Sequence, residues 1–495
     1  MSHLNSAQSS CIMRSRYVIS FFLFLAVMAA IGIRLVDIAA NPTPLPHGTR
    51  QLAGAHSRGV ILDRHGMPLV HATGVEHLIN EQLTLEFFAR HSSEQPAVHL
   101  IGHLDESGRG VAGLESVFDS LFDYAAGQLR ALVMIDALGT PLPGAAPIIQ
   151  NENYLSPAGL QLTIDLHIQR VAEEALQHYQ LEQGAVVVLC NATGEILALA
   201  STPTFDPTDI VASLACPQQP FFNRALGAYA VGSTFKTFIA AAALQQGVSA
   251  HHSFYCEGYI NVDGSVFRCM HWHAHGEMDM QHALALSCNV YFIDLARRLE
   301  LQPMLDLLKL FGFGDETPLA DGLHGAAGNL PTMHQLQSSG ELANFSFGQG
   351  LLLATPLQMA AATAAIANNG VYRSPMLIQA IVDEHGQATP FEQPQHSRQV
   401  ISAQLAAQLR NMMILTVDEG TGQSARPANA TAGGKTGTAQ SGRFRNNSEI
   451  LMTSFTGFVP AHNPRYTITV LREDGVSGAH DGGRVFAHIA NELMR

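Results

Sequence analysis

Gly184-Ala185-Val186-Val187-Val188-Leu189 is an unbroken apolar run rich in β-branched residues, and its reading decides the fold. A short run of this kind, bounded by turn residues, fits a strand buried on both faces. Asn191-Ala192-Thr193-Gly194 makes a turn, and Glu195–Ala200 returns as a second strand. Just upstream, Leu160–Ile164 has a strand pattern and Asp165 caps a predicted helix over Ile168–Tyr179. Downstream, a helix-rich stretch runs from about Thr234 to Asn369. The end is strand-like again, in Gly434–Gln440, Ser454–Val459 and Tyr466–Leu471, before a closing helix over Val485–Met494. Strands first, helices in the middle, then strands and a helix describe a sheet closed by both ends of one α/β domain, with helices around it.

Working outward, the 495 residues predict two or three domains. Apolar residues make up 47% of the chain, enough for a sizeable core, and charged residues only 14%. The net charge is -14, and no Lys/Arg-rich stretch occurs, which argues against nucleic acid as a partner. The 24 histidines are scattered, so most are read as surface or satisfied core residues. Arg14 and Arg16 precede the apolar run Tyr17–Ile33, which ends at Arg34. That run is long enough to span a bilayer, with its basic side in the cytoplasm. Ala29-Ala30 offers a signal-peptide cleavage site, but the length of the run favours an uncleaved anchor. Either way the rest of the chain is exported. Asn41–Ser57 reads as a linker, and Arg58–Gly66 as a strand entering a turn. From there to about Pro147 a smaller mixed domain is expected, without evident catalytic groups.

Three motifs carry chemistry. In Gly232-Ser233-Thr234-Phe235-Lys236, Ser233 and Lys236 stand three apart and share a helix face. A lysine whose pKa is lowered by burial can take the proton of a serine hydroxyl and make it a nucleophile. In Ser287-Cys288-Asn289, Ser287 is suited to relay a proton, and Asn289 offers a donor and an acceptor to a substrate amide. Gly434-Lys435-Thr436-Gly437-Thr438 fits an edge strand facing a cleft. There Lys435, Thr436 and Thr438 suit a carboxylate, Gly437 admits a ligand backbone, and the Thr438 and Ser233 N–H groups suit an oxyanion. Each motif alone is weak. In this order, with gaps of roughly 50 and 150 residues, they form the signature of penicillin-binding proteins and class A β-lactamases.

The chain resembles a class B penicillin-binding protein, the monofunctional D,D-transpeptidase type. Arg58–Gly66 resembles the segment that opens that family's pedestal domain, and Gly113-Leu114-Glu115 with Asp119 one near its end. Leu162-Thr163-Ile164-Asp165 and Gly194–Ala198 resemble the start of its transpeptidase domain. Ser346–Gly350 and Thr355–Gln358 resemble a segment between the second and third motifs. Two departures, Val231 and Thr237 where the family has proline, bear on local helix geometry alone.

The resemblance implies a cytoplasmic tail (1–16), a transmembrane anchor (17–38), a pedestal (39–150) and a serine β-lactamase-like transpeptidase domain (155–495) with an antiparallel sheet and surrounding helices. It implies acyl transfer. Lys236 deprotonates Ser233, which attacks the carbonyl between the terminal D-alanines of a peptidoglycan stem peptide. D-alanine leaves, protonated through Ser287, and a neighbouring amine takes the acyl group. β-Lactams acylate the same serine. No organic cofactor is implied, and a membrane glycan polymerase is the expected partner. The rival readings are a β-lactamase, a membrane-anchored receptor for β-lactam or muropeptide, and a catalytically silent scaffold.

Six cysteines remain to be placed. Cys11 falls on the cytoplasmic side, Cys190 reads as a buried core thiol, and Cys216 sits in a loop. Cys256, Cys269, His275 and Cys288 together offer three thiolates and an imidazole, the ligand set of a closed structural Zn site. A Cys256–Cys269 disulfide and three free thiols are the alternatives, and His271 or His273 can substitute for His275.

Overall fold

A computed structural model describes residues 4–40, 48–70, 75–79, 84–87, 90–125, 127–135, 142, 148–152, 156–392, 396–445 and 447–495. The chain divides into two compact units. One comprises residues 1–55, 78–85 and 128–152; the other comprises 56–77, 86–127 and 153–495.

The first unit holds the helix Leu4–Ala40 and the three-stranded sheet Thr49–His56, Gln128–Met134, Ile148–Glu152. Within the helix, Tyr17–Asp37 has a mean hydropathy of 2.4 and no buried residue, so it is long and apolar enough to cross a bilayer. Thr49–His56, expected within a linker, is a strand. Its pairing is with residues far along the chain, which local composition does not encode. The rest of that expected linker, 41–47, lies outside the described residues.

The second unit is built on a five-stranded antiparallel sheet. Its order is Ile196–Thr202, Gly184–Cys190, Tyr466–Arg472, Ser448–Val459, Gly433–Arg445. Strand alternation sends Val186 and Val188 to one face, where they pack with Val171, Phe486 and Ile489 of the helices Leu166–His178 and Arg484–Leu493. Ala185, Val187 and Leu189 point to the other face, into a core shared with Phe235, Phe238 and the wholly buried helix Pro356–Ala367. Both ends of the domain therefore close one sheet between two helical layers. Asp165 caps its helix by accepting from the His167 and Ile168 N–H groups, as expected.

A second five-stranded sheet orders Ala388–Pro390, Ile378–Val382, Gly159–Leu162, Val60–Leu62 and Pro68–Val70. Val60–Leu62 runs parallel to Gly159–Leu162, so the Arg58–Gly66 segment belongs to the same unit as the catalytic motifs. Beside it Glu115, fully buried, accepts from Arg90 Nε at 2.6 Å and is paired with Arg58 at 3.4 Å and His91 at 3.3 Å.

The helix-rich stretch from Thr234 to Asn369 also holds short strands, and the expectation of a buried Cys190 needs correction. Phe254–Cys256 pairs with Gly276–Met278, and Tyr259–Val262 with Ser265–Arg268. Turns at Gly258 and Gly264, both at positive φ, fold this segment into short hairpins too brief to register as periodicity. Cys190 is half-buried, because it ends its strand at the turn.

Candidate active site

The Ser233 turn is set by close backbone approach. Gly232 has φ 58 and donates its N–H to the Gly348 carbonyl at 2.9 Å. A Cβ at 232 would lie 2.7 Å from Thr438 O and 3.1 Å from Thr438 N; one at 348 would lie 2.0 Å from Gly232 O. Only glycine lets these segments touch. Ser233 therefore rides on a 3-10 turn, Gly232–Phe235, laid against the Thr438 strand, and Lys236 opens the α-helix Lys236–Gln245. Val231 and Thr237, the two departures from proline, leave this geometry regular, although the buried Thr237 hydroxyl finds no partner among the described residues.

All three motifs meet. Lys236 is fully buried, and its Nζ donates to Asn289 Oδ1 (2.6 Å), the Ser287 carbonyl (2.7 Å), Ser233 Oγ (3.1 Å) and Ser287 Oγ (3.2 Å). From the other side Lys435, also fully buried, donates to Ser287 Oγ (3.0 Å), Thr436 O (3.0 Å) and Thr436 Oγ1 (3.2 Å). The Ser287 hydroxyl thus lies between two amines. It is held there by a left-handed backbone, φ 58, a conformation that strains a non-glycine residue. Asn289 starts the helix Asn289–Ala296, capped by Cys288, and its Nδ2 donates to Arg268 O at 3.0 Å.

Burial governs the electrostatics. It pushes the Lys236 amine down to about 8, against the opposing pull of Cys288 and Cys269. Burial and then the charge of Lys236 drive Lys435 well below the usual lysine range. Two ammonium groups sharing one hydroxyl in a dry site repel, which raises the share of the neutral state of the amine beside Ser233 near neutral pH. That is the state in which Lys236 can accept a proton.

Lys435, Thr436, Gly437 and Thr438 lie on Gly433–Arg445, the edge strand of the sheet. Residues without an assigned role in the sequence complete this wall. Thr421 Oγ1 is 3.0 Å from Thr436 Oγ1. The Gly478 N–H donates to Thr438 Oγ1 at 3.2 Å, and Gly478 lies so close to the strand that a Cβ there would be 2.4 Å from Gly437 O. Buried Asp481 fixes that loop by accepting from Thr453 Oγ1 and from the Val476 and Ser477 N–H groups. The Thr421–Thr436 and Gly478–Thr438 contacts join positions 15 and 40 residues apart, and no local pattern marks them.

The cysteine cluster adjoins this site through Cys288. Cys256 Sγ stands 3.7 Å from Cys269 Sγ and 3.5 Å from His275 Nδ1, and Cys269 Sγ stands 3.6 Å from Cys288 Sγ. The four donor atoms all lie within 4.8 Å of one another. The sulfurs are too far apart for a disulfide, whose S–S length is about 2.05 Å. The Gly258 and Tyr291 N–H groups each donate to a sulfur, of Cys256 and Cys288, at 3.4 Å. The hydrogen bond with Cys288 drives the Cys269 thiol down and its partner up. His275 is the imidazole that joins the sulfurs. The His273 ring stands 5.0 Å from it, and the side chain of His271 lies outside the described residues.

Residues 184–495 match the family model described as the penicillin binding protein transpeptidase domain. Stage V sporulation protein D of Bacillus subtilis is 32% identical over 413 residues, 80% of this chain and 62% of that protein. The peptidoglycan D,D-transpeptidase MrdA of Acinetobacter baumannii is 32% identical over 352 residues, 64% of this chain and 51% of that one. The chain thus spans half to six tenths of the length of these relatives. Among solved structures, penicillin binding protein 3 of Mycobacterium tuberculosis in its apo form superposes with a TM-score of 0.70 at 28% identity, over 88% of this chain and 95% of that one. The same protein complexed with ampicillin gives 0.71 at 27% identity, over 88% and 94%. With the three motifs converged around the Ser287 hydroxyl and the family model covering the sheet that carries them, the chain belongs to the penicillin-binding protein transpeptidase family, in its class B branch.

Proposed function

We propose that this protein is a peptidoglycan D,D-transpeptidase. The observation that carries the reading is the junction at Lys236, whose Nζ reaches Ser233 Oγ, Ser287 and Asn289, with Lys435 on the far side of Ser287. Lys236, neutral at the moment of attack, takes the Ser233 proton, and Ser233 Oγ bonds to the carbonyl carbon of the penultimate D-alanine. The oxyanion is stabilised by the Ser233 and Thr438 N–H groups, each such donor being worth about 10²–10³ in rate. The tetrahedral centre collapses, the C–N bond breaks, and the departing amine of D-alanine receives a proton through Ser287. An acceptor amine on a neighbouring strand then attacks the ester and releases Ser233, closing the cross-link. Lys435, Thr436 and Thr438 receive the terminal carboxylate, and Gly437 admits the peptide backbone. A β-lactam opens on the same serine, and the acyl-enzyme persists.

Fluorescent penicillin labelling of the full chain against Ser233→Ala tests the reading. Labelling is expected to vanish; labelling that survives the substitution would overturn the assignment.

Three further elements of the reading follow. Residues 1–16, 17–38, 39–150 and 155–495 serve as tail, anchor, pedestal and catalytic domain, with 56–77 and 86–127 of the pedestal in the same compact unit as the catalytic domain and that domain outside the cytoplasmic membrane. A membrane glycan polymerase supplies the strands. Cys256, Cys269, Cys288 and His275 hold a structural Zn. Zn–S bonds of about 2.3 Å in a tetrahedron put sulfurs about 3.7 Å apart, which is the spacing of these sulfurs. When bound, the metal braces the start of the Asn289 helix; it takes no part in the acyl transfer.

A further inference from the structure

The segment that bears the cysteine cluster also carries an exposed side-chain group for which the reaction above has no use. Trp272 is the chain's single tryptophan. Its side chain is 55% exposed, and its backbone stands in the left-handed region at φ 57. It lies three residues after Cys269 and three before His275. Its carbonyl presses on Gly258, where a Cβ would be 2.7 Å away, and the Gly258 carbonyl accepts from the Cys269 N–H at 2.8 Å. The Trp272 backbone is thus held in an otherwise unfavourable conformation between cluster residues, with the indole exposed to water.

The Arg268 guanidinium lies over that ring, its Cζ 4.9 Å from the ring centroid. The Tyr259 ring is 6.5 Å from the indole, and Tyr259 is the cross-strand partner of Arg268 in the hairpin Tyr259–Val262/Ser265–Arg268. Arg268 is exposed. Among the described residues its guanidinium has no hydrogen-bond or ion-pair acceptor, in a chain with 41 acidic side chains against 27 basic ones. A stacked guanidinium keeps its edge N–H groups in plane and free, the geometry that receives a carboxylate through two parallel hydrogen bonds. The group is tied to the reaction centre by backbone. The Arg268 carbonyl accepts from Asn289 Nδ2 (3.0 Å), Asn289 Oδ1 accepts from Lys236 Nζ (2.6 Å), and that amine reaches Ser233 Oγ (3.1 Å).

We propose that Arg268, stacked on Trp272 and flanked by Tyr259, is a subsite for an internal carboxylate of the stem peptide, upstream of the D-alanine pair that reacts at Ser233. The ligand assignment rests on the transpeptidase reading. The site takes an anionic peptide and discriminates against one whose internal carboxylate is a carboxamide. The terminal carboxylate goes to Lys435 and its threonines, so one substrate is gripped at two negative charges on opposite sides of the scissile bond.

The single tryptophan makes the test direct. The full chain in detergent, carrying Ser233→Ala so that no turnover occurs, is titrated with a pentapeptide ending in D-Ala-D-Ala. One form bears a free internal carboxylate and the other the corresponding carboxamide; Trp272 emission is followed. The acid form is expected to change the emission and to bind about tenfold more tightly than the amide, as a charge-assisted pair requires. Raising the salt should narrow the gap. Arg268→Gln and, independently, Arg268→Lys, which keeps the charge but loses the fork, should bring acid and amide together. Equal affinities in the Arg268 protein, or an Arg268→Gln loss of the same size on both peptides, would overturn the proposal. Penicillin labelling of the chain with Ser233 restored keeps the two readings apart. A preparation that labels but does not discriminate refutes the subsite alone. One that discriminates but never labels supports the subsite and refutes the transpeptidase.

Discussion

Lowering the pH should switch off acylation by protonating one buried amine. Lys236 has its pKa reduced from 10.5 to about 8, chiefly by burial. The neutral fraction at that value is about one half at pH 8, about one tenth at pH 7 and about one hundredth at pH 6. An unshifted amine at 10.5 would be neutral in only about one molecule in three thousand at pH 7. Burial therefore supplies about 300-fold more base at neutral pH. The sign follows from the role: a general base acts in its deprotonated form, so the rate rises with pH and levels off above the pKa. The assay is the second-order rate constant for acylation by a fluorescent penicillin from pH 6 to 9.5, with thermal unfolding followed at each pH. The limb below the midpoint should fall about tenfold per pH unit. Lys236→Arg keeps the cation but never becomes neutral in this range, and should be inactive throughout. A flat profile, a midpoint above 9.5, or an active Lys236→Arg would refute the assignment of Lys236 as the base.

Other perturbations have comparably definite outcomes. Gly348→Ala would set a methyl group 2.0 Å from Gly232 O. It should reduce acylation by about 100-fold or more through displacement of the nucleophile turn, and a rate within about twofold of wild type would contradict the packing described. Glu115→Gln removes the charge between Arg58, Arg90 and His91. It should lower unfolding free energy in denaturant by about 3 kcal/mol, the usual consequence of breaking a buried ion pair. Cys288→Ser should abolish stoichiometric zinc in metal analysis of the purified chain and lower its melting temperature. A wild-type chain free of zinc after preparation in zinc-replete medium would end the metal reading.

The sequence carried much of the second unit because its signals are local. The run at Gly184–Leu189 and the two late strands are β-branched and buried on both faces, and they became the centre of the sheet. The three motifs were legible because Ser233, Lys236, Ser287, Asn289 and Lys435 recur in a known order, and they converge around Ser287 Oγ. What was hidden depends on partners remote in the chain. Thr49–His56 becomes a strand only by pairing within a sheet completed beyond residue 128. The hairpins between Phe254 and Met278 are too short to show a period. The left-handed backbone of Ser287 and the contacts of Thr421, Gly478 and Asp481 with the Lys435 strand arise only when distant segments pack together.

The close approach of Gly232, Gly348, Gly437 and Gly478 also limits how this site can evolve. At each of these positions a methyl group would meet main-chain atoms at 2.7 Å or less, so selection has almost no substitutions to sample on the floor of the cleft. For the transpeptidase proposed above, a lineage under antibiotic pressure must therefore find its variation in the looser side chains around that site, where altering drug entry also risks altering how the natural peptide is seated.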